Sequence, residues 1–167
     1  MPVWLDEEAV DLLHEIALYE DDISGQNPGS DLGGAVSRPV NQYHYGGVNS
    51  LPELAAHYGV AIAKAHAFRD GNKRTALLAV DAFLDQNDVR FYIDDAKGEA
   101  EPIFKGVASG EIDHKELAAW IETHIVRPGF DSSFSSYWGS MRALFPTDRP
   151  RAIIRKLKVA IQERLGS

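Results

Sequence analysis

The sequence predicts a mainly α-helical domain followed by a separate helical extension, on three observations. Apolar residues recur at helical spacing through most of residues 6–126. The one long stretch without that pattern, 24–49, holds six of the fourteen glycines and a single β-prone piece, Gln42-Tyr43-His44-Tyr45. Beyond Arg127-Pro128-Gly129 the balance of charge reverses: residues 1–126 carry 9 Lys and Arg against 22 Asp and Glu, whereas 127–167 carry 8 against 3.

The first helix is expected over about 6–20. Val10, Leu13, Ile16 and Ala17, with Leu12 beside them, form its apolar face, and Glu7 and Glu8 sit where a helix N-terminus favours negative charge. The stretch 24–49 reads as a long loop with a short hairpin, of the kind that serves as a functional lid. Ser50-Leu51-Pro52-Glu53 has capping-box spacing with Pro in the first turn, and opens a helix to about His66 that would bury Leu54, Ala55, Ala61, Ile62 and Ala65. Arg69-Asp70-Gly71-Asn72 interrupts the pattern, and Ala76, Leu77, Val80, Phe83 and Leu84 restore it over about 73–87. Val89–Ile93 is a short β-like run and 102–109 a short helix. Asp113, with Glu116 three residues on, caps a helix over about 114–125, with Leu117, Trp120, Ile121 and His124 on one face. In the extension, Phe134, Tyr137, Trp138, Met141, Leu144 and Phe145 follow helical spacing up to Pro146, and a last helix begins near Asp148 with basic residues around its apolar face.

Composition narrows the classes of function. At 167 residues, with 44% hydrophobic and 25% charged residues, the chain can bury a core, and no apolar run approaches the roughly 18 residues that a membrane-spanning helix needs. No signal peptide is expected from the acidic start. The absence of cysteine excludes disulfides and thiolate metal sites, which makes the cytoplasm the default compartment. A net charge of −8 disfavours direct nucleic-acid binding, so the basic extension is expected to pack on the acidic body, to pair with a second copy, or to dock a partner.

The chemistry concentrates in His66-Ala67-Phe68-Arg69-Asp70-Gly71-Asn72-Lys73-Arg74. The amides of Asn72, Lys73 and Arg74 open a helix, where backbone N–H groups and the positive dipole end stabilise a phosphate. Gly71 permits close backbone approach or positive φ. Asp70 offers a hard oxygen suited to Mg²⁺. Arg74 can fork two donors onto phosphate oxygens. His66 is the group in the cluster suited to accept a hydroxyl proton near neutral pH. Phe68 is expected in the core. The other histidines, His14, His44, His57, His114 and His124, are expected as surface or core residues without a metal.

This run resembles the signature of the Fic/Doc family, H-x-F-x-[DE]-[GA]-N-[GK]-R, and the resemblance extends over about 6–126. It implies a compact bundle of helices around the motif loop, with residues 1–126 as catalytic domain and 127–167 as an added extension. It also implies an enzyme that transfers part of a nucleoside triphosphate, here ATP with Mg²⁺, to a hydroxyl of another protein. His66 would be the general base, Asp70 the Mg²⁺ ligand, and Gly71, Asn72, Lys73 and Arg74 the phosphate cradle. A flap over 37–47 would bind the target by strand addition, with Arg38, Tyr43 and His44 touching target or nucleotide. Family members that transfer AMP usually carry Gly in place of Lys73 and Arg in place of Leu77. This chain is closer there to the Doc (death-on-curing) branch, which implies γ-phosphate transfer by a toxin to a translation component such as elongation factor Tu, and a cognate antitoxin. Gly71, where Doc-type motifs often carry Ala, points the other way and keeps AMP transfer as the alternative. A catalytically silent binding module of the same fold is a third possibility. The family's inhibitory pattern, [ST]-x-x-x-E-[GN], has no match in the chain.

Overall fold

The computed structural model describes residues 1–93 and 98–126. They form six helices: α1 (Glu7–Ala17), α2 (Leu32–Tyr45), α3 (Leu51–Ala65), α4 (Asn72–Gln86), α5 (Ala100–Ser109) and α6 (His114–Thr123). The helices expected beyond Pro128 and the role assigned to 127–167 lie outside the described residues. None of the helices is long and apolar enough to cross a membrane.

The centre of the bundle is α3, which packs against α2, α4, α5 and α6 and buries residues on nearly all sides, among them Leu54, Tyr58, Ala61 and Ile62. A helix so enclosed needs small residues at its crossings. A Cβ on Gly59 would lie 2.9 Å from Leu117 Cδ2 and 3.0 Å from Val80 Cγ2, so the glycine sets how closely α3 approaches α4 and α6. The apolar face predicted for α4 is buried in full: Ala76, Leu77, Val80, Phe83 and Leu84 are each at most 4% exposed. Burying side chains of the Leu, Val and Phe type contributes about 1.5–3 kcal/mol each. On α6 the expected cap forms a complete capping box, with Asp113 accepting from the amides of Lys115 and Glu116 while Glu116 accepts from the amide of Asp113. At α3, Ser50 occupies the cap position but makes no side-chain cap bond, and Pro52 in the first turn starts the helix without it.

Two segments close the bundle. The N-terminal strand of chain is pinned by Tyr58, whose hydroxyl accepts from the Leu5 amide at 3.1 Å and donates to the Leu5 carbonyl at 3.2 Å. Asn87 pairs with both polar groups of the Val3 backbone. The β-like run at 89–93 contributes one antiparallel bridge, Phe91 with Ile125, which ties the end of α6 to the end of α4.

The hairpin flap expected over 37–47 is not there: Leu32–Tyr45 is helical. Asp31 caps it through the Gly34 amide at 2.7 Å, and Leu32, Ala35, Val36 and Pro39 face the core at helical spacing. Tertiary burial outweighs the poor propensity of two glycines and an internal proline. Strand addition to 37–47 is therefore not available in this conformation.

Candidate active site

His66 ends α3 in the left-handed conformation, at φ 45° and ψ 38°. A non-glycine residue there costs about 1–2 kcal/mol and persists where surrounding contacts hold it. The chain then crosses back through Ala67 and Phe68, both buried, and turns into α4 at Gly71, φ 75°. A Cβ on Gly71 would meet nothing closer than 3.7 Å, so positive φ rather than lack of space calls for glycine.

Phe68 anchors the loop as expected, 1% exposed and stacked on the His14 ring at 3.9 Å. His14 is a core residue. Thr75 Oγ1 donates to the Gly71 carbonyl at 2.9 Å, which leaves its contact with His14 Nδ1, at 3.3 Å, to be donated by the imidazole. Nε2 is then the bare nitrogen, buried without a partner among the described residues. Burial pushes the His14 pKa below its ordinary value, because protonation would place an unsatisfied N–H at that position.

His66, Asp70, Gly71, Asn72, Lys73 and Arg74 all line one cleft of about 480 Å³, closed on the far side by Glu101, Phe104 and Ala108 of α5 and by Tyr19. His66 and Lys73 are exposed in it, and Asp70, Asn72 and Arg74 half-buried. Arg38, Tyr43 and His44 do not line the cleft: Arg38 and His44 are exposed on α2, and Tyr43 packs edge-on against Trp4 at 5.5 Å. The Asn72 side chain is engaged within the loop. Its carboxamide bonds both polar groups of the Phe68 backbone, at 3.0 and 2.7 Å, and so fastens the loop.

Three residues of the site carried no chemical signal in the sequence. Asp22 accepts from the Tyr19 amide at 2.7 Å and pairs with Arg74 Nη2 at 2.7 Å. Burial opposes its ionisation, but these two partners outweigh burial and hold its carboxyl below the usual range. The Tyr19 ring covers the guanidinium, 3.9 Å from Cζ to the ring centroid. Asn27 braces the loop backbone through the His66 and Phe68 carbonyls. Asp22 falls in an acidic run and Asn27 in a turn dipeptide, so only the fold could bring them to Arg74 and to the loop.

The residues fit a phosphate ligand. Arg74 Nη1 is buried and has no hydrogen-bond partner among the described residues, a donor left over after Asp22 has taken the other arm. No side chain caps the N-terminus of α4, so its first amides lack that partner. Asp70 Oδ2 accepts from the Ile23 amide at 2.9 Å, and no group of three or more His, Asp or Glu gathers among the described residues. A lone carboxylate suits Mg²⁺ that is completed by phosphate oxygens and water.

The helical bundle thus brings a left-handed histidine, a lone carboxylate and the N-terminus of α4 to one cleft. Residues 4–84 match the model of the Fic/DOC family. The chain is 38% identical over 109 residues to the protein kinase doc of Escherichia phage P1, covering 62% of this chain and 84% of that protein. It is 37% identical over 91 residues to the toxin Doc of Mycolicibacterium smegmatis, covering 53% and 68%. The chain belongs to the Fic/Doc family.

Proposed function

We propose that the chain is a Doc-like toxin that transfers the γ-phosphate of ATP to a hydroxyl of a target protein. The observation that carries this reading is the convergence of His66, Asp70, Arg74 and the N-terminus of α4 on one cleft, with a buried Arg74 Nη1 that has no hydrogen-bond partner among the described residues. The relatives named protein kinase doc and toxin Doc support the chemistry and the biological role. The exposed His66 imidazole accepts the proton of the incoming hydroxyl. Arg74, Lys73 and the first amides of α4 hold the phosphate oxygens and stabilise the charge that builds on them during transfer. Asp70 would hold Mg²⁺, which would supply positive charge to offset that of the phosphates. A translation component such as elongation factor Tu is the proposed target, in the cytoplasm, with a cognate antitoxin as the restraining partner.

Transfer of AMP by the same residues is the second reading, favoured by Gly71. Leu77 weighs against it: the position is apolar, 4% exposed, where AMP-transferring members carry a further cation. Controlled expression in bacteria is the test of the toxin reading. Growth arrest with wild type and none with His66→Ala is expected; arrest that survives His66→Ala would favour a binding module.

A further inference from the structure

We propose that Asn27 is a positioning residue for the catalytic loop, its carboxamide holding the His66 backbone in the left-handed conformation that presents the imidazole to the cleft. The inference rests on His66 being the base proposed above. Asn27 lies 39 positions before His66, yet its Nδ2 donates to the His66 carbonyl at 2.8 Å and to the Phe68 carbonyl at 3.0 Å. Its backbone amide donates to the Ala67 carbonyl at 2.7 Å. The neighbouring residues extend the clamp: Gln26 bridges Phe68 in antiparallel sense, and the Arg69 amide donates to the Gly25 carbonyl at 3.1 Å.

The chemistry of these contacts restricts the residue. The end of α3 leaves carbonyls without helical partners, and the reversal at His66 turns its own carbonyl away from the helix. A side chain with two N–H donors on one nitrogen can serve two carbonyls at once, and a short one keeps the 25–27 segment against the loop. Aspartate has the same shape but only acceptors when ionised, and would set a negative charge against two carbonyl oxygens. Asn72 fastens the loop from its other side at Phe68, whereas Asn27 also reaches the residue that bears the base.

The test compares the full chain with Asn27→Ala, with the same-sized Asn27→Asp, and with Ser24→Ala as control. Ser24 lies on the same segment, but its hydroxyl bonds Glu15 and not the loop. Two quantities are read: amide hydrogen exchange at Phe68 and Arg69, and His66-dependent transfer of labelled γ-phosphate from ATP. Both Asn27 variants are expected to exchange at least tenfold faster at those amides, with the amides of α3 and α4 unchanged. Their kcat should fall at least tenfold while KM for ATP stays within twofold, since the phosphate-holding groups on α4 are not touched. Unchanged exchange at both amides would overturn the inference whatever the activity, as would an equal loss of kcat in Ser24→Ala. Faster exchange in a protein whose wild type shows no His66-dependent transfer would support the positioning and overturn the functional reading on which its catalytic meaning rests.

Discussion

Arg74 is held from two sides, by Asp22 at one edge and by the Tyr19 ring on its face, and a phosphate would have to share it. Neutralising Asp22 removes a negative charge from beside the anion site. Asp22→Asn is therefore expected to strengthen ATP binding about three- to tenfold at low ionic strength, with the gain shrinking as salt screens the partly buried pair; calorimetric titration at two salt concentrations checks it. His14 carries a second expectation. Its pKa is lowered in the folded protein by burial, so the unfolded chain binds the extra proton first, and stability should decline as pH falls below 6.5. His57, desolvated against His114 at 4.4 Å between ring centroids, titrates in the same direction. Denaturant unfolding between pH 8 and pH 5 should show that decline, and a shallower one in His14→Phe. At this scale the motif was legible, because His66, Asp70, Gly71 and Arg74 are adjacent in the chain and each residue type has a recognisable chemistry. Asp22 and Asn27 were not, because their partners are supplied by contacts across 52 and 39 positions.

The helices were legible where one face is uniformly apolar. The expected spans of α1, α3, α4 and α6 differ from those observed by a few residues at most, and the α4 face is buried as written in the sequence. α2 was misjudged because two glycines, an internal proline and a β-prone end masked the spacing of Leu32, Ala35, Val36 and Pro39. A helix so poor in propensity forms through what it buries against α3, a term that a local reading cannot see. The same dependence on packing makes Gly59 critical. Gly59→Val would force its side chain into Leu117 and Val80, and should cost about 1–3 kcal/mol of stability, read as a lower denaturant midpoint at unchanged slope.

Across the whole molecule, the bundle holds a strained loop by fastening both its flanks. The 25–27 segment grips one side, Asn72 the other, and the His14 and Phe68 stack fills the space beneath. Closure of the bundle depends on the N-terminal segment, which Tyr58 pins to α3. Tyr58→Phe would leave the Leu5 amide and carbonyl without that partner, at about 1–3 kcal/mol. Burial raises the Tyr58 pKa, so its contribution is present below pH 10 and declines above it as the unfolded chain ionises first, a loss that Tyr58→Phe should not show. The reversal of charge at residue 127 was legible in the sequence, and the extension it marks lies outside the described residues. The most direct measurement is label transfer into bacterial extract from ATP labelled at either the α or the γ phosphate, with Mg²⁺ and with His66→Ala as control. Label moving from the γ position alone, and lost in His66→Ala, is the expected result. Label from the α position would make the protein an AMP transferase, and the absence of His66-dependent label from either position would contradict the assignment of His66 as base.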